Sequence, residues 1–451
     1  MSGNSDIAAG RLDAEQLAAN FADAHPPLSR DAALVEASRC YFCYDAPCVQ
    51  ACPTGIDIPG FIRRIATGNL RGAAVTILAE NIFGGSCARV CPTEVLCEQA
   101  CVRMAQEGKP IQIGDLQRHA TDWLMERSIH PFTRASPSGR RIAVVGAGAA
   151  GLACAHRLAV HGHEAVVLEA KPKPGGLNEY GIAAYKLADD FAQREVEYLL
   201  AIGGISVEYG QELGGTVSLA SLRREYDAVF LGLGQSGVNA LGIENEAFAG
   251  VMDAVKFIAG LRQAADKATV AVGRRVVVIG GGNTAVDAAT QSRRLGAEDV
   301  TIVYRRGPAQ MSATGAEQEW AETNGVRIKH WAAPVRLIGA AGAVKGVEFA
   351  RTRLDGAGHL VLTDQRMTLE ADMVLKAVGQ HFVLPAVEEA PVLQGGRIVV
   401  DAERQTSLPG VFAGGDCIAG PDLTVQAVQD GKIAAEAIHR LLAQREARRN
   451  G

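Results

Sequence analysis

Eight of the chain's ten cysteines fall between Cys40 and Cys101, and any fold must accommodate them together. They come in two runs. The first is Cys40-x2-Cys43-x4-Cys48-x3-Cys52-Pro53; the second is Cys87-x3-Cys91-Pro92, followed by Cys97 and Cys101. In a short secreted chain this density would signal disulfides. Here the chain has 451 residues. Its N-terminal MSGNSDIAAGRLDAEQ lacks the basic flank and apolar core of a signal peptide, and no apolar run reaches membrane-spanning length. The expected setting is the cytoplasm, where thiols stay reduced and metal ligation is the better use for them. Zinc sites usually bring two close pairs a dozen or more residues apart, often with histidine. A tight run ending in Cys-Pro is the pattern of bacterial ferredoxins, where the fourth cysteine of a run serves the neighbouring cluster. Two [4Fe–4S] clusters are therefore expected, with a zinc-stabilised, non-enzymatic docking module as the alternative.

The surroundings of the thiols read as helical. Ser29 or Asp31 can cap a helix through DAALVEASR that delivers Cys40. IPGFIRRIATGNLRGAAVTILAEN, residues 58–81, has apolar residues at helical spacing, interrupted near Gly68. A further helix, GDLQRHATDWLMERS, carries Leu116, Ala120 and Leu124 as a core-facing stripe. Periodicity then stops over IHPFTRASPSGR, which reads as a linker.

Beyond the linker the pattern changes to strand–glycine–helix. An apolar strand over 142–146 runs into Gly146-x-Gly148-x-x-Gly151, a helix follows, and the strand EAVVLEA ends in Glu169. The glycines permit the turn, the approach of a pyrophosphate and close helix–strand packing, while Glu169 can take a ribose 2′-hydroxyl. The device recurs in RRVVVIGGGNTAVDAATQSRRLGAEDVTIVYRR as Gly280-x-Gly282-x-x-Ala285, with Asn283 opening the helix. Its second strand ends in Arg305-Arg306, and guanidinium groups suit a 2′-phosphate. This favours NADPH without discarding NADH. With 51 glycines, 48% hydrophobic residues and only 5% aromatics, the composition fits nucleotide-binding α/β domains. A net charge of −5 without a long basic run excludes nucleic acid and anionic membrane as expected partners.

TSLPGVFAGGDC places a strand before Gly414-Gly415-Asp416, with a helix after it. This passage resembles the flavin-contacting C-terminal segment of the pyridine nucleotide–disulfide oxidoreductase superfamily. The resemblance implies that Asp416 reaches the ribityl chain of FAD. DAVFLGLGQ, with Gly234, and DMVLKAVGQ resemble the two crossings between that superfamily's domains. No redox CxxC pair lies outside the N-terminal block, Cys154 and Cys417 read as buried neighbours, and His330 and His381 read as structural. No catalytic acid–base set converges by spacing. The flavin's electrons are thus expected to leave through the clusters, which accept them singly.

Nearly the whole chain resembles one family. CYFCYDAPCVQACPTGIDIPGFI, CARVCPTEVLCEQAC, IQIGDLQ, PGGLNEYGIAAYKL (with Gly176), IGGGNTAVD, VGQH and VFAGGD are similar to the small subunit of glutamate synthase. They are closer still to the N-terminal half of dihydropyrimidine dehydrogenases, which bacteria make as a separate subunit. That resemblance implies an α/β chain: an α-helical double iron–sulfur domain (1–137), an FAD domain (138–255 and 384–451) and an inserted NAD(P)H domain (256–383). It implies Cys40, Cys43, Cys48 and Cys101 as one cluster's ligands. It implies Cys52, Cys91, Cys97 and Gln117 as the other's, leaving Cys87 without iron, where spacing alone would give Cys87 a ligand role. The implied function is electron input from NAD(P)H through FAD and two clusters to an FMN-containing catalytic subunit of a hetero-oligomer. That partner reduces uracil or thymine. A glutamate synthase small subunit is the alternative. Bacterial subunits of the first kind use NAD, whereas Arg305 and Arg306 favour NADP.

Overall fold

The computed structural model describes residues 6–450. Residues 1–5 and 451, included in the expected outer domains, lie outside the described residues; the signal-peptide reading of the N-terminus falls partly on them. The described chain divides into two compact units, one of residues 25–179, 189–236 and 382–450, the other of 6–24, 180–188 and 237–381.

The first unit joins the thiol-bearing helices to a parallel sheet. Ser29 caps the helix Arg30–Ser38, its hydroxyl accepting the Ala32 N–H, a contact worth about 1 kcal/mol. The 58–81 segment forms two helices, Ile58–Ala66 and Leu70–Glu80, parted at Gly68, where φ is 77°. Phe61, Ile62, Ile65 and Ile77 are buried from them. Leu116, Ala120 and Leu124 on the helix Ile113–Met125 are fully buried, so the apolar stripe is core as its spacing foretold. These side chains share one hydrophobic cluster with Leu152, Ala155 and Leu158 of the helix Ala149–Val160 and with Ile438 of the C-terminal helix Thr424–Asn450. The sheet runs in spatial order Val411–Ala413, Ala228–Leu231, Arg141–Val145, Glu164–Glu169, Ile205–Tyr209, all parallel. Both faces are covered, which is why its strands read as continuous apolar runs.

The second unit has a parallel sheet of the same kind, ordered Arg327–Lys329, Asp299–Val303, Arg275–Gly280, Met373–Ala377, Val251–Asp253. An antiparallel sheet of Ala332–Ala340, Ala343–Leu354 and Leu360–Glu370 belongs to the same unit.

The division by contact differs from the expected boundaries. The strand Ile7–Ala8 pairs with Val272–Gly273, and Leu17 and Phe21 are buried in a core with Phe257 and Leu261. Residues 6–24 therefore pack with the second dinucleotide fold instead of the thiol helices. Residues 237–255 go the same way, because Val251–Asp253 is an edge strand of that sheet. So does 180–188: Ala183 and Ala184 donate backbone N–H groups to Asp287 and Gln291, and the Lys186 ammonium sits 2.8 Å from Asp287 and 2.6 Å from Glu317.

Candidate functional site

Cys40, Cys43, Cys48 and Cys101 line one cavity, walled by Ile58, Ile62, Ile111 and Ile113. The loop after the helix Arg30–Ser38 supplies the first three, and Cys101 comes from beyond the second run. Burial, then Cys101 and Cys40, push the Cys48 thiol up to about 12. Burial raises Cys40 as well. Four thiols around one space are the donor set that a [4Fe–4S] cluster takes, and the chemistry of the set fits it. Among the described residues no three histidine, cysteine or carboxylate groups converge as a single ion would require; the four thiols ring a space.

Cys52, Cys91 and Cys97 are mutual neighbours, deeper in the protein. Burial leads in raising Cys91 and Cys97; Cys87 is the next influence on Cys91, and Cys52 acts on both. Cys52 also lies 3.3 Å from the Thr54 hydroxyl. Gln117 is buried, and its Nε2 donates to the Gly84 carbonyl at 2.7 Å. That contact fixes the orientation of the amide. Gly84 opens the short helix Gly84–Val90, which leads directly to Cys91. Cys87 is fully enclosed on that helix, with Asn81 as hydrogen-bond partner and Glu195 nearby.

Glu195 was not legible as functional in the sequence. Its carboxylate is buried, accepts the Ser86 N–H at 2.9 Å and the Ser86 hydroxyl, and is pushed up to about 7 chiefly by burial. The available signal was an acid among Phe191, Ala192, Val196 and Leu199, the buried face of its helix.

The first glycine loop shows why glycine is required. At Gly146, φ is 98° and a Cβ would meet the Gly232 carbonyl at 2.3 Å; at Gly151 it would meet the Gly146 carbonyl at 1.9 Å. Gly148 differs: the nearest atom to its would-be Cβ is the Gly176 Cα at 3.8 Å. The two glycine backbones approach closely, a Cβ on Gly176 meeting the Gly148 Cα at 2.7 Å, at the start of the helix Ala149–Val160. Glu169 is buried; Oε2 accepts the Ala147 N–H at 2.7 Å and Oε1 the Lys171 N–H at 2.8 Å. It braces the loop and retains lone pairs for a ribose. Gly415 donates to Asp430 at 3.0 Å, an acid of the C-terminal helix that no sequence motif marks. Asp416 beside it is pushed up to about 6, first by burial and then by Asp422. Cys417 is buried and donates to the Leu231 and Gly414 carbonyls. Burial raises it to about 11, which makes it a packed thiol, as expected. Cys154 is likewise buried. Gly234 has φ of 63° just after the strand Ala228–Leu231.

In the second loop Gly280 has φ of 153°, and a Cβ there would meet the Ala377 carbonyl at 2.2 Å. Gly282 caps the helix Asn283–Arg294, Asn283 is exposed, and Ala285 is buried. Arg305 is exposed and Arg306 half-buried at the end of the strand Asp299–Val303; neither guanidinium enters an ion pair among the described residues. His381 hydrogen-bonds Asn239, and His330 lies against the Met311 sulfur, so both have structural partners.

Residues 17–129 match the family described as dihydropyrimidine dehydrogenase domain II, 4Fe-4S cluster, and residues 140–431 match pyridine nucleotide-disulphide oxidoreductase. The chain belongs to the pyridine nucleotide-disulphide oxidoreductases. Within that family it falls among those joined to the dihydropyrimidine dehydrogenase 4Fe-4S domain. It is 37% identical over 411 residues to the NAD-dependent dihydropyrimidine dehydrogenase subunit PreT of Salmonella typhimurium, covering 91% of this chain and 94% of that protein. It is 34% identical over 441 residues to the glutamate synthase [NADPH] small chain of Escherichia coli, covering 93% of each. The Mycobacterium tuberculosis FprA structure in complex with NADPH shares the fold at a TM-score of 0.57 and 21% identity, over 68% of this chain and 85% of that one. This pyridine nucleotide-disulphide oxidoreductase is therefore an NAD(P)H-dependent flavin iron–sulfur enzyme, with FAD, NAD(P)H and 4Fe–4S clusters as its cofactors. Among the described residues no helix is long and apolar enough to cross a membrane.

Proposed function

We propose that the chain is the electron-input subunit of a dihydropyrimidine dehydrogenase. It oxidises NAD(P)H and delivers electrons to an FMN-containing partner subunit in the cytoplasm, which reduces uracil or thymine at the 5,6 bond. The observation that carries this reading is the placement of four thiols around one cavity in the same compact unit as the flavin-type sheet. The likeness to the Salmonella dihydropyrimidine dehydrogenase subunit supplies the pyrimidine assignment. When bound, FAD supplies hydride acceptance and the clusters supply one-electron transfer. The chain's own residues do the holding. Cys40, Cys43, Cys48 and Cys101 would bind the first cluster; Cys52, Cys91, Cys97 and Gln117 would bind the second. Gly146, Gly148, Gly151, Glu169, Gly176, Gly234, Gly415 and Asp416 would cradle FAD. Gly280, Gly282, Asn283, Ala285, Arg305 and Arg306 would orient the nicotinamide dinucleotide.

Cys87, which adjoins Cys91 of the second set, neighbours Glu195 of the flavin half, whereas the first set has exposed Tyr41 and half-buried Arg103 in its wall. The order supported is flavin, second set, first set, partner. The unpaired Arg305 and Arg306 favour NADPH, and this same observation favours the second reading, a glutamate synthase small subunit, since that relative is named for NADPH. Purification from the native host decides between them. Uracil-dependent NAD(P)H oxidation with an FMN-bearing partner is expected; a large amidotransferase partner would sink the pyrimidine reading. The chain alone should reduce artificial acceptors only. Gln117→Ala should shift the EPR signal and midpoint of one cluster, and unchanged spectra would remove Gln117 from the ligand set.

A further inference from the structure

The loop that carries Cys40, Cys43 and Cys48 also carries side chains that the fold leaves in water. Tyr44 is fully exposed and Tyr41 is 50% exposed; Val35, on the helix leading into the loop, is 68% exposed. Few large apolar side chains among the described residues stand out this far, and three fall within ten positions of one another. A tyrosine left in solvent forgoes the burial of about 150–250 Å². Tyr41 is held in place: the Arg103 guanidinium lies over its ring at 4.0 Å, and its hydroxyl reaches Glu107 at 3.5 Å. Between the two tyrosines Phe42 adopts φ of 53°, a left-handed conformation costly for an aromatic residue, with Arg63 over its ring at 4.9 Å. Tyr44 makes no hydrogen bond or ring contact among the described residues. Tyr41 and Arg103 belong to the wall of the four-thiol cavity, so this exposed loop is also the outer wall of the first cluster position.

We infer that the Tyr41–Tyr44 loop is the landing surface on which a partner subunit bearing a one-electron redox centre docks, with Tyr44 as its anchor. The inference rests on the proposed electron-input role. Two observations select a protein as the occupant. Tyr44 and Val35 stand in solvent outside the cavity lining, and solvent-exposed tyrosines of this kind are typical of the residues that dominate protein–protein binding. The thiol cavity directly beneath selects a redox centre, because an electron delivered there can leave only to an acceptor brought against this wall. The rim is close to charge-balanced, with Arg103 paired to Glu107 and Arg39 to Glu36, so the docking energy is assigned to apolar contact and its salt dependence is expected to be shallow.

The test uses the full chain in its native host. Tyr44→p-benzoylphenylalanine is irradiated in cells beside a control, Leu362→p-benzoylphenylalanine, at an exposed position of the other compact unit. A crosslink from position 44, and not from 362, to a subunit containing flavin or iron–sulfur centres is expected. If that subunit is an amidotransferase, the landing surface stands and the pyrimidine reading falls. A redox partner that copurifies with the chain yet never crosslinks at 44 overturns the inference and leaves the electron-input role intact. In the purified complex Tyr44→Lys should lower partner-dependent NAD(P)H oxidation at least tenfold, with ferricyanide reduction and the cluster EPR signals unchanged, while Tyr44→Phe retains activity. An effect below twofold, or an equal loss with ferricyanide, overturns it.

Discussion

The two dinucleotide folds share strand order and glycine device, and they differ at the end of one strand. In the first, Glu169 is buried and bound to its own loop through the Ala147 and Lys171 amides. In the second, the strand register puts Tyr304 at the corresponding place, and Arg305 and Arg306 just beyond it have no ion-pair partners among the described residues. A loop braced by its own acid is suited to a cofactor that stays. A loop ending in uncommitted cations is suited to a charged dinucleotide that arrives and leaves. On the proposed cofactor assignment, one scaffold would serve a resident and an exchanging dinucleotide.

The strongest way to break that comparison is to block each loop in turn. Gly146→Val drives a side chain into the Gly232 carbonyl and should yield protein without flavin, read from visible absorbance. Gly280→Val should keep flavin and abolish its reduction by NAD(P)H, read by stopped-flow bleaching. Equal flavin loss in both would end the division of labour. Arg305→Ala together with Arg306→Ala should lower kcat/KM for NADPH by about 10- to 100-fold, the loss of charge-assisted hydrogen bonds worth about 1.5–3 kcal/mol. The value for NADH should change less than threefold; an equal fall for both would show that the arginines do not read the 2′-phosphate. Asp416→Ala should weaken FAD about tenfold in a titration of stripped protein, the scale of one hydrogen bond to a charged group.

The smallest effect expected concerns pH. Burial holds His156 down to about 3 and, with His439 and His161 beside it, holds His163 down to about 4. Both titrate near 6.5 when unfolded, so the unfolded chain binds more protons between these values. Stability should be complete above pH 6.5 and fall as pH drops toward 4, measured by thermal unfolding. His163→Gln should flatten part of that slope. Its folded ring hydrogen-bonds His439 at 2.9 Å and Ser138 at 2.7 Å, and neither contact survives a second proton unchanged.

Local chemistry was readable from the sequence because it is written in adjacent residues. The Ser29 cap, the break at Gly68, the stripe of Leu116, Ala120 and Leu124, and both glycine loops depend on spacings of one to four positions. What spacing could not show is which distant segments meet. Nothing in IAAG announces that Ile7 and Ala8 pair with Gly273 and Val272, because a two-residue strand has no period. Glu195 and Asp430 escaped for a related reason: their partners, Ser86 and Gly415, lie on other elements, and an acid on an apolar helix face resembles a patterning error until its donors appear. Lys186 is similar, a cation in a small-residue stretch whose meaning is set by Asp287 and Glu317.

The pairing of Val411–Ala413 with Ala228–Leu231 carries a consequence for biogenesis. During synthesis the first glycine loop leaves the ribosome long before the strand that flanks its sheet and the turn that brings Gly415 and Asp416. The thiol-bearing helices, by contrast, are complete by residue 125. Long-range parallel pairing of this kind is slow to form and exposes unpaired edges meanwhile. Cluster insertion can therefore begin on the nascent chain, whereas flavin capture has to wait for late translation. Flavin starvation should then leave brown, cluster-loaded, flavin-deficient protein before it leaves empty protein.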